Sequence, residues 1–158
     1  MPKYFVIADP HFSHDNIIRY CDRPYTSVEE MNDDLVKRWN NTVSKRDTVF
    51  VLGDFALDRA AVAHFTPLLN GRKILIKGNH DTYPNAFYLK CGFAEVSKYP
   101  ILFEYCLMSH EPLLLSNTTP YFNFYGHVHN DPTYTDTPTA KCVSAERIDY
   151  TPYCFLKK

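Results

Sequence analysis

The amino-acid sequence predicts an α/β fold in which two β-sheets form a sandwich flanked by helices. Short apolar runs typical of buried strands alternate with helix-like segments over the first half of the chain. The second half instead holds several short strand-like runs separated by turn residues, which indicates a second sheet. A length of 158 residues fits one domain, residues 1–158, with one core.

The first half is predicted to run strand, helix, strand, helix, strand. The strands are short runs of bulky apolar residues at positions 3–8, 47–52 and 73–77. Ser27 and Glu30 form a capping-box pattern, and apolar residues then recur on one face as far as Trp39, which predicts the first helix. Residues 58–66 are predicted to form the second helix. This alternation favours parallel strands with helices on the sheet faces.

The second half contains four strand-like runs, which read ILFEYCLMS, YFNFYG, AKCVSAE and YCFLKK. Turn residues separate these runs, as they do between neighbouring strands of an antiparallel sheet. We therefore expect a second and more antiparallel sheet.

Composition and charge argue against several classes of protein. The net charge is −1 and the chain has no basic run, which disfavours a dedicated nucleic-acid binder but leaves a nuclease open. The five cysteines include no CxxC pair, so a thiolate zinc site is not expected. No apolar stretch is long enough to span a bilayer, and the apolar run near the N-terminus is too short for a signal peptide. The sequence predicts a cytoplasmic protein with no membrane partner.

Polar side chains follow five of the predicted strands, at the point where each strand ends. Because ligand sites in open α/β sheets lie beyond the carboxyl ends of the strands, we expect these side chains to meet at one place. They include five of the seven histidines of the chain. The residues are Asp9, His11, Asp54, Asn79, His80, Asp81, His110, His127 and His129.

Seven of these side chains have the chemistry of metal ligands. Carboxylate, imidazole and amide groups without a thiolate suit Mn²⁺, Fe²⁺ or Fe³⁺, or Zn²⁺, so a pair of divalent metal ions is the expected cofactor. Seven ligands are too many for one tetrahedral ion, but two ions can each receive four ligands if one carboxylate bridges them. The seven are Asp9, His11, Asp54, Asn79, His110, His127 and His129.

The ordered motifs DPH, GD, GNHD, SH and GHVH resemble those of the calcineurin-like metallophosphoesterases, in particular small members without a cap domain. The resemblance covers residues 9–129 and implies a four-layer αββα sandwich. It implies that Asp9, His11, Asp54 and His129 hold the first ion. It implies that Asp54, Asn79, His110 and His127 hold the second ion, with Asp54 as the bridge. Gly126 is expected to free the backbone so that the two following histidines point at different ions.

The resemblance also implies a catalytic role for His80, which is not a ligand in the family. This histidine faces the substrate as general acid or stabilises the transition state. Many members carry an Asp that orients it, but Leu57 stands at that position here. Asp58 and Asp81 are the candidate orienting partners, and Asp58 better fits the N-cap of the following helix. By charge alone, the candidate phosphate contacts are Arg23, Arg59, Arg72 and Lys77.

The predicted function is dinuclear metal-dependent hydrolysis of a small phosphate ester by a metal-bridging hydroxide. A phosphodiester is favoured over a monoester because so short a chain has little room for a lid. A nuclease is an alternative that the charge disfavours. The other alternative is a non-catalytic binding or scaffold protein of the same fold, which the intact His80 disfavours. The sequence leaves the physiological substrate, the native metal and the oligomeric state open.

Overall fold

The computed structural model describes residues 1–157, which form nine strands, four α-helices and two short 3₁₀ turns. The strands are β1 (Lys3–Ile7), β2 (Thr48–Val51), β3 (Arg72–Ile76), β4 (Glu95–Ser97), β5 (Ile101–Phe103), β6 (Cys106–Met108), β7 (Phe122–Tyr125), β8 (Ala140–Cys142) and β9 (Tyr153–Lys157). The helices are α1 (Asp15–Tyr20), α2 (Val28–Thr42), α3 (Arg59–Phe65) and α4 (Asn85–Cys91), and the turns are Thr66–Leu68 and Ala145–Arg147. Over these 157 residues, no helix combines the length and the apolar character that crossing a bilayer requires.

The first sheet has five strands in the order β4–β3–β2–β1–β9. Strands β1 to β4 pair in parallel, and the pairing of β1, β2 and β3 confirms the prediction from the alternating first half of the chain. Strand β9 runs antiparallel beside β1. The run YCFLKK was expected in the second sheet, and that assignment is wrong because β9 completes the first.

The second sheet has four strands in the order β5–β6–β7–β8. Strands β5 and β6 are antiparallel, whereas β6–β7 and β7–β8 are parallel. Both sheets are therefore mixed, and the second is only slightly more antiparallel than the first, with one antiparallel pair of three against one of four. A tight turn joins β5 to β6, which makes this pair antiparallel. The loops at residues 109–121 and 126–139 instead carry the chain back to the end of the sheet where the preceding strand began, so the next strand runs in the same direction. Those two loops carry three of the predicted ligands.

Strand β1 shows how the two sheets share the apolar residues. Phe5 and Ile7 point to the cluster that includes the buried faces of the α-helices, while Val6 and Ala8 point to the cluster between the sheets. Alternation with a period of two residues allows one strand to serve both layers. The predicted α/β sandwich of two sheets with flanking helices is confirmed.

The two predicted helices occur with the expected N-terminal caps. Ser27 Oγ accepts the amide hydrogen of Glu30 at 3.1 Å, at the start of α2. Asp58 Oδ1 accepts the amide hydrogen of Ala61 at 2.8 Å, at the start of α3. Asp58 is thus the N-cap that the sequence favoured. Helices α1 and α4 were not predicted.

The carboxyl ends of five strands converge at one edge of the sandwich. Asp9 N donates to Gly53 O at 3.0 Å, which joins the segments after β1 and β2. Ala8 N donates to Val143 O at 2.8 Å and joins the two sheets. Gly126 N donates to His110 O at 2.8 Å and joins the segments after β6 and β7. These main-chain bonds bring four of the five polar clusters together, and the amide hydrogen of Asp54, donated to Asp81 Oδ2 at 2.7 Å, joins the GNHD cluster to them.

Candidate metal centre

The backbone at this edge adopts a conformation that is unusual for residues with side chains. Positive φ angles occur at Asp9 (54°), His11 (52°), Asp54 (51°), His127 (69°) and His129 (49°). The left-handed region is sparsely populated by non-glycine residues, and residues held there cluster at functional sites. Five of the seven predicted ligands thus leave their strands through a left-handed residue, which turns their side chains toward one another.

Gly126 has a different role from the one expected. Its φ lies outside the left-handed region, so the expectation that it frees the backbone is wrong. A Cβ atom at this position would lie 2.4 Å from Ala8 Cβ and 2.7 Å from Asp9 Oδ2. Glycine is needed because the ends of β7 and β1 approach too closely for any side chain.

One group of donor atoms comes from Asp9, His11 and His129, whose side chains offer atoms within 4.8 Å of one another. The rings of His11 and His129 stack with centroids 5.2 Å apart. Two buried atoms in this group, Asp9 Oδ1 and His11 Nε2, have no hydrogen-bond partner within residues 1–157. Leaving a polar atom buried and unpaired costs about 1–3 kcal/mol, which binding of a cation would offset.

A second group consists of Asn79, His110 and His127. Nε2 of His110 lies 2.9 Å from Asn79 Oδ1 and 3.1 Å from His127 Nδ1, and the last two atoms are 3.1 Å apart. Nδ1 of His110 lies 2.8 Å from Leu52 O. Because a carbonyl oxygen only accepts, Nδ1 carries the proton and Nε2 presents a lone pair. Three donor atoms so close together fit around one ion with bonds of about 2.0–2.2 Å.

Asp54 lies between the two groups. Its Oδ2 is 3.7 Å from His11 Nε2 and 3.6 Å from His110 Nε2. Its Oδ1 accepts the amide hydrogen of His80 at 2.9 Å, so that oxygen is already engaged. One oxygen of a buried carboxylate therefore faces both groups of donor atoms.

Burial and neighbouring charges shift the pKa values of the first group. Burial raises the pKa of Asp9 to about 6 and lowers the pKa of His11 well below its usual value. Burial acts to lower the pKa of His129 as well, but the neighbouring Cys21 and Glu146 raise it to about 11. A cation would bind here only to the deprotonated forms of Asp9 and His129, which would couple its affinity to pH.

Three residues support this group of donor atoms in a role that the sequence did not predict for them. Ser144 Oγ donates to Asp9 Oδ2 at 2.6 Å, and Glu146 lies 3.2 Å from His129 Nδ1. Arg23 donates to Glu146 and to the carbonyl oxygen of Asp9. Arg23 is buried, which excludes it from the candidate phosphate contacts. No motif marks these residues, and Glu146 and Arg23 are 123 positions apart.

The His80 ring lies at the mouth of the site, with 54% of its side chain exposed. Its Nε2 is 4.0 Å from Asp54 Oδ2. In the part of the chain that the structure describes, neither candidate orienting partner bonds to this ring. Asp58 caps α3, and the buried Asp81 carboxylate accepts amide hydrogens from Asp54 (2.7 Å) and Gly78 (2.8 Å). Asp81 therefore ties the GD loop to the GNHD loop.

A cleft of about 630 Å³ opens beside Asn79 and His110. Its walls include Lys77 and Lys98 as well as apolar atoms of Pro100. Lys77 Nζ donates to Tyr83 O at 2.6 Å. The Lys98 amine makes no hydrogen bond or ion pair with any of residues 1–157, so it is available to an anion. The other candidate phosphate contacts are engaged, since Arg59 lies over the Phe87 ring and Arg72 pairs with Glu95.

Two solved structures share this fold. A crystal structure of a protein of unknown function from Aquifex aeolicus matches with a TM-score of 0.72 and 22% identity, over 98% of this chain and 96% of that one. The crystal structure of the Pseudomonas putida nuclease MPE matches with a TM-score of 0.55 and 21% identity, over 80% of this chain and 61% of that one. At these identities the likeness shows the fold alone.

Two curated sequences are also similar to part of the chain. An uncharacterised protein of Methanocaldococcus jannaschii is 46% identical over 90 residues, which are 55% of this chain and 51% of that protein. The gene 66 protein of Mycobacterium phage L5 is 33% identical over 85 residues, which are 51% of this chain and 41% of that protein. The matched segments span about half the length of these relatives or less. The model of the calcineurin-like phosphoesterases, by contrast, matches residues 2–152, and the chain therefore belongs to that family.

Proposed function

We propose that the protein hydrolyses phosphodiesters with the help of two divalent metal ions. The observation that carries this proposal is the position of Asp54 Oδ2, at 3.7 Å from His11 Nε2 and 3.6 Å from His110 Nε2. A ligand that bridges two ions must place one oxygen between both groups of donor atoms, as this carboxylate does. The membership of the chain in a family of phosphoesterases supports the reaction class.

The residues present fit two ions. Asp9, His11 and His129, with Asp54, would hold the first, and their unpaired buried atoms favour a cation there. Asn79, His110 and His127, with Asp54, would hold the second. When bound, such ions lower the pKa of water and neutralise charge on a phosphoryl group. Carboxylate, imidazole and amide donors favour Mn²⁺, iron or Zn²⁺.

His80 is proposed to act on the leaving oxygen of the substrate. Its ring is exposed toward solvent, while its main chain is fixed by the hydrogen bond from its amide to Asp54 Oδ1. An imidazole held in this way at the mouth of the site can donate a proton as the ester bond breaks. A positioned general acid contributes about 10²–10⁴-fold to the rate.

The cleft beside Asn79 and His110 supports a diester over a monoester. A volume of about 630 Å³ gives room for a second ester substituent next to the reacting phosphate. The free amine of Lys98 on its wall favours a substituent that carries its own negative charge, such as a flanking nucleotide. The Pseudomonas putida nuclease of the same fold makes nucleic acid the second candidate substrate.

Turnover of chromogenic esters by Mn²⁺-loaded protein tests the reaction class. We expect bis(p-nitrophenyl) phosphate to be hydrolysed faster than p-nitrophenyl phosphate, and we expect EDTA to abolish turnover. Failure to hydrolyse either ester would support the non-catalytic binding protein instead.

A variant at Lys98 tests the substrate class. Lys98→Gln should raise KM for a 5′-phosphorylated dinucleotide, which carries a second phosphate, and leave KM for bis(p-nitrophenyl) phosphate unchanged, because that diester carries no charge beyond the reacting phosphate. Lys90→Gln is the matched control, since that exposed lysine lies on α4 and not on the cleft wall. Equal KM values for the dinucleotide in the wild type and Lys98→Gln would remove the support for an anionic substituent.

A further inference from the structure

Glu146 occupies a position behind the first group of donor atoms. It belongs to the 3₁₀ turn Ala145–Arg147, and only 5% of its side chain is exposed. Its carboxylate oxygens lie 3.2 and 3.3 Å from His129 Nδ1. Because a carboxylate only accepts, His129 Nδ1 carries a proton there, which leaves Nε2 as the ring nitrogen that can act as a ligand.

Arg23 completes this arrangement from the other side. Its guanidinium donates to Glu146 Oε1 from Nε at 2.8 Å, and a second nitrogen lies 2.7 Å from the same oxygen. It also donates to Pro10 O at 2.8 Å and to Asp9 O at 2.7 Å. One buried ion pair thus contacts both segments that carry the donors of the first group.

We propose that the Arg23–Glu146 pair positions the first metal site, with Glu146 fixing His129 and Arg23 fixing the main chain at Asp9 and Pro10. The inference rests on the proposed function and assigns positioning residues to the same site. A carboxylate on the outer nitrogen of a ligating histidine fixes the tautomer and the ring orientation and makes the ligand more basic. Asp9, His11 and His129 all have left-handed backbones, which persist where the surroundings hold them.

The two sites differ in the group that accepts a hydrogen bond from their histidines. His110 in the second group donates to the neutral carbonyl oxygen of Leu52, whereas His129 in the first group is held by a charged carboxylate. Removing the charge of Glu146 should therefore weaken one site and leave the other intact. An ion pair that only stabilised the fold as a whole would affect both sites alike.

Titration of metal-free protein with Mn²⁺ by calorimetry tests the proposal without any assay of activity. The His127→Ala variant lacks a donor of the second group, so the binding event that it weakens belongs to the second site. In Glu146→Gln we expect the first-site affinity to fall by about 10–100-fold and the second-site affinity to stay at the wild-type value. Glu146→Asp, which keeps the charge, should recover part of the loss. Glu95→Gln breaks the exposed ion pair with Arg72 and is the matched control.

Wild-type affinity at both sites in Glu146→Gln would overturn the proposal, and so would an equal loss at both sites. Nitrogen chemical shifts of the wild-type histidines provide a measurement that needs no variant. We expect Zn²⁺ to shift Nε2 of His129 while Nδ1 keeps its proton, and the reverse pattern would refute the assignment. If the wild type binds two ions without hydrolysing any ester, the proposed function fails and this inference stands.

Discussion

The amide hydrogen of His80 is donated to Oδ1 of Asp54 over 2.9 Å, while Oδ2 of the same carboxylate lies between two groups of metal-ligand side chains. Asp54 thus links the proposed metal centre to the residue proposed to act on the substrate. The geometry of the metal centre and the position of His80 depend on one side chain.

Replacing Asp54 should weaken both ions at once. In Asp54→Asn the shared oxygen loses its charge, so we expect metal content after dialysis against Mn²⁺ to fall at both sites and turnover to be lost. Asp58→Asn is the control, because Asp58 only caps α3 and Asn is an equally good N-cap. Retention of either ion at wild-type affinity in Asp54→Asn would contradict the bridging role.

Replacing His80 should separate binding from chemistry. We expect His80→Ala to bind two ions as the wild type does and to lose about 10²–10⁴-fold in kcat. The side chain is exposed, so the stability of the fold should not change. Metal analysis of the purified variant checks this prediction, and loss of an ion would identify His80 as a ligand instead.

Replacing Gly126 should destabilise the fold by steric conflict. A Cβ atom there would lie 2.4 Å from Ala8 Cβ, and such overpacking typically costs about 1–3 kcal/mol. We expect urea unfolding of metal-free Gly126→Ala to show this loss. The double variant Ala8→Gly/Gly126→Ala removes the closer contact and should regain part of it. A Gly126→Ala protein as stable as the wild type would show that the strand ends can separate at no cost.

The Asp47 carboxylate, which lies away from the metal centre, should make the stability of the fold depend on pH. Burial acts to raise the pKa of its carboxyl, but hydrogen bonds from Lys3 N (2.8 Å) and Ser44 N (2.7 Å) hold that pKa below its usual value. The stabilisation is therefore present above the unfolded pKa of about 3.9 and is lost as pH falls through the lower folded value.

Asn at this position keeps one acceptor, so Asp47→Asn should lose about 1 kcal/mol of unfolding free energy at pH 7. Urea unfolding of both metal-free proteins should give unfolding free energies that approach each other as pH falls below about 4. Protonation of the metal-ligand carboxyls affects both proteins equally and cancels in the difference. A difference that does not change with pH would refute the account of Asp47.

Hydrophobic periodicity and capping patterns predicted the parallel half of the fold well. Strands β1 to β3, helix α2 and helix α3 appear where those patterns place them, because each buries a regular apolar face. Helix α1 has only six residues and is capped by His14, which accepts from Ile17 N at 3.2 Å, so no apolar period reveals it. The direction of β7 and β8 depends on loops whose course no local pattern encodes.

The motif GHVHND illustrates what local sequence cannot provide at the site. Two histidines two positions apart would face one side of a strand. Strand β7 ends at Tyr125, however, and both histidines have left-handed backbones, so that alternation does not apply. His127 lies against Asn79 and His110, whereas His129 lies near His11 and Glu146. Long-range contacts decide which partners each ring meets.

The electron paramagnetic resonance spectrum of Mn²⁺-loaded protein tests the central claim most directly. If Asp54 bridges two ions, the metal-free chain should take up two Mn²⁺ ions and give the signal of an exchange-coupled pair. In Asp54→Asn the coupled signal should disappear. Uptake of a single ion by the wild type, or two ions that show only uncoupled signals, would contradict a dinuclear centre.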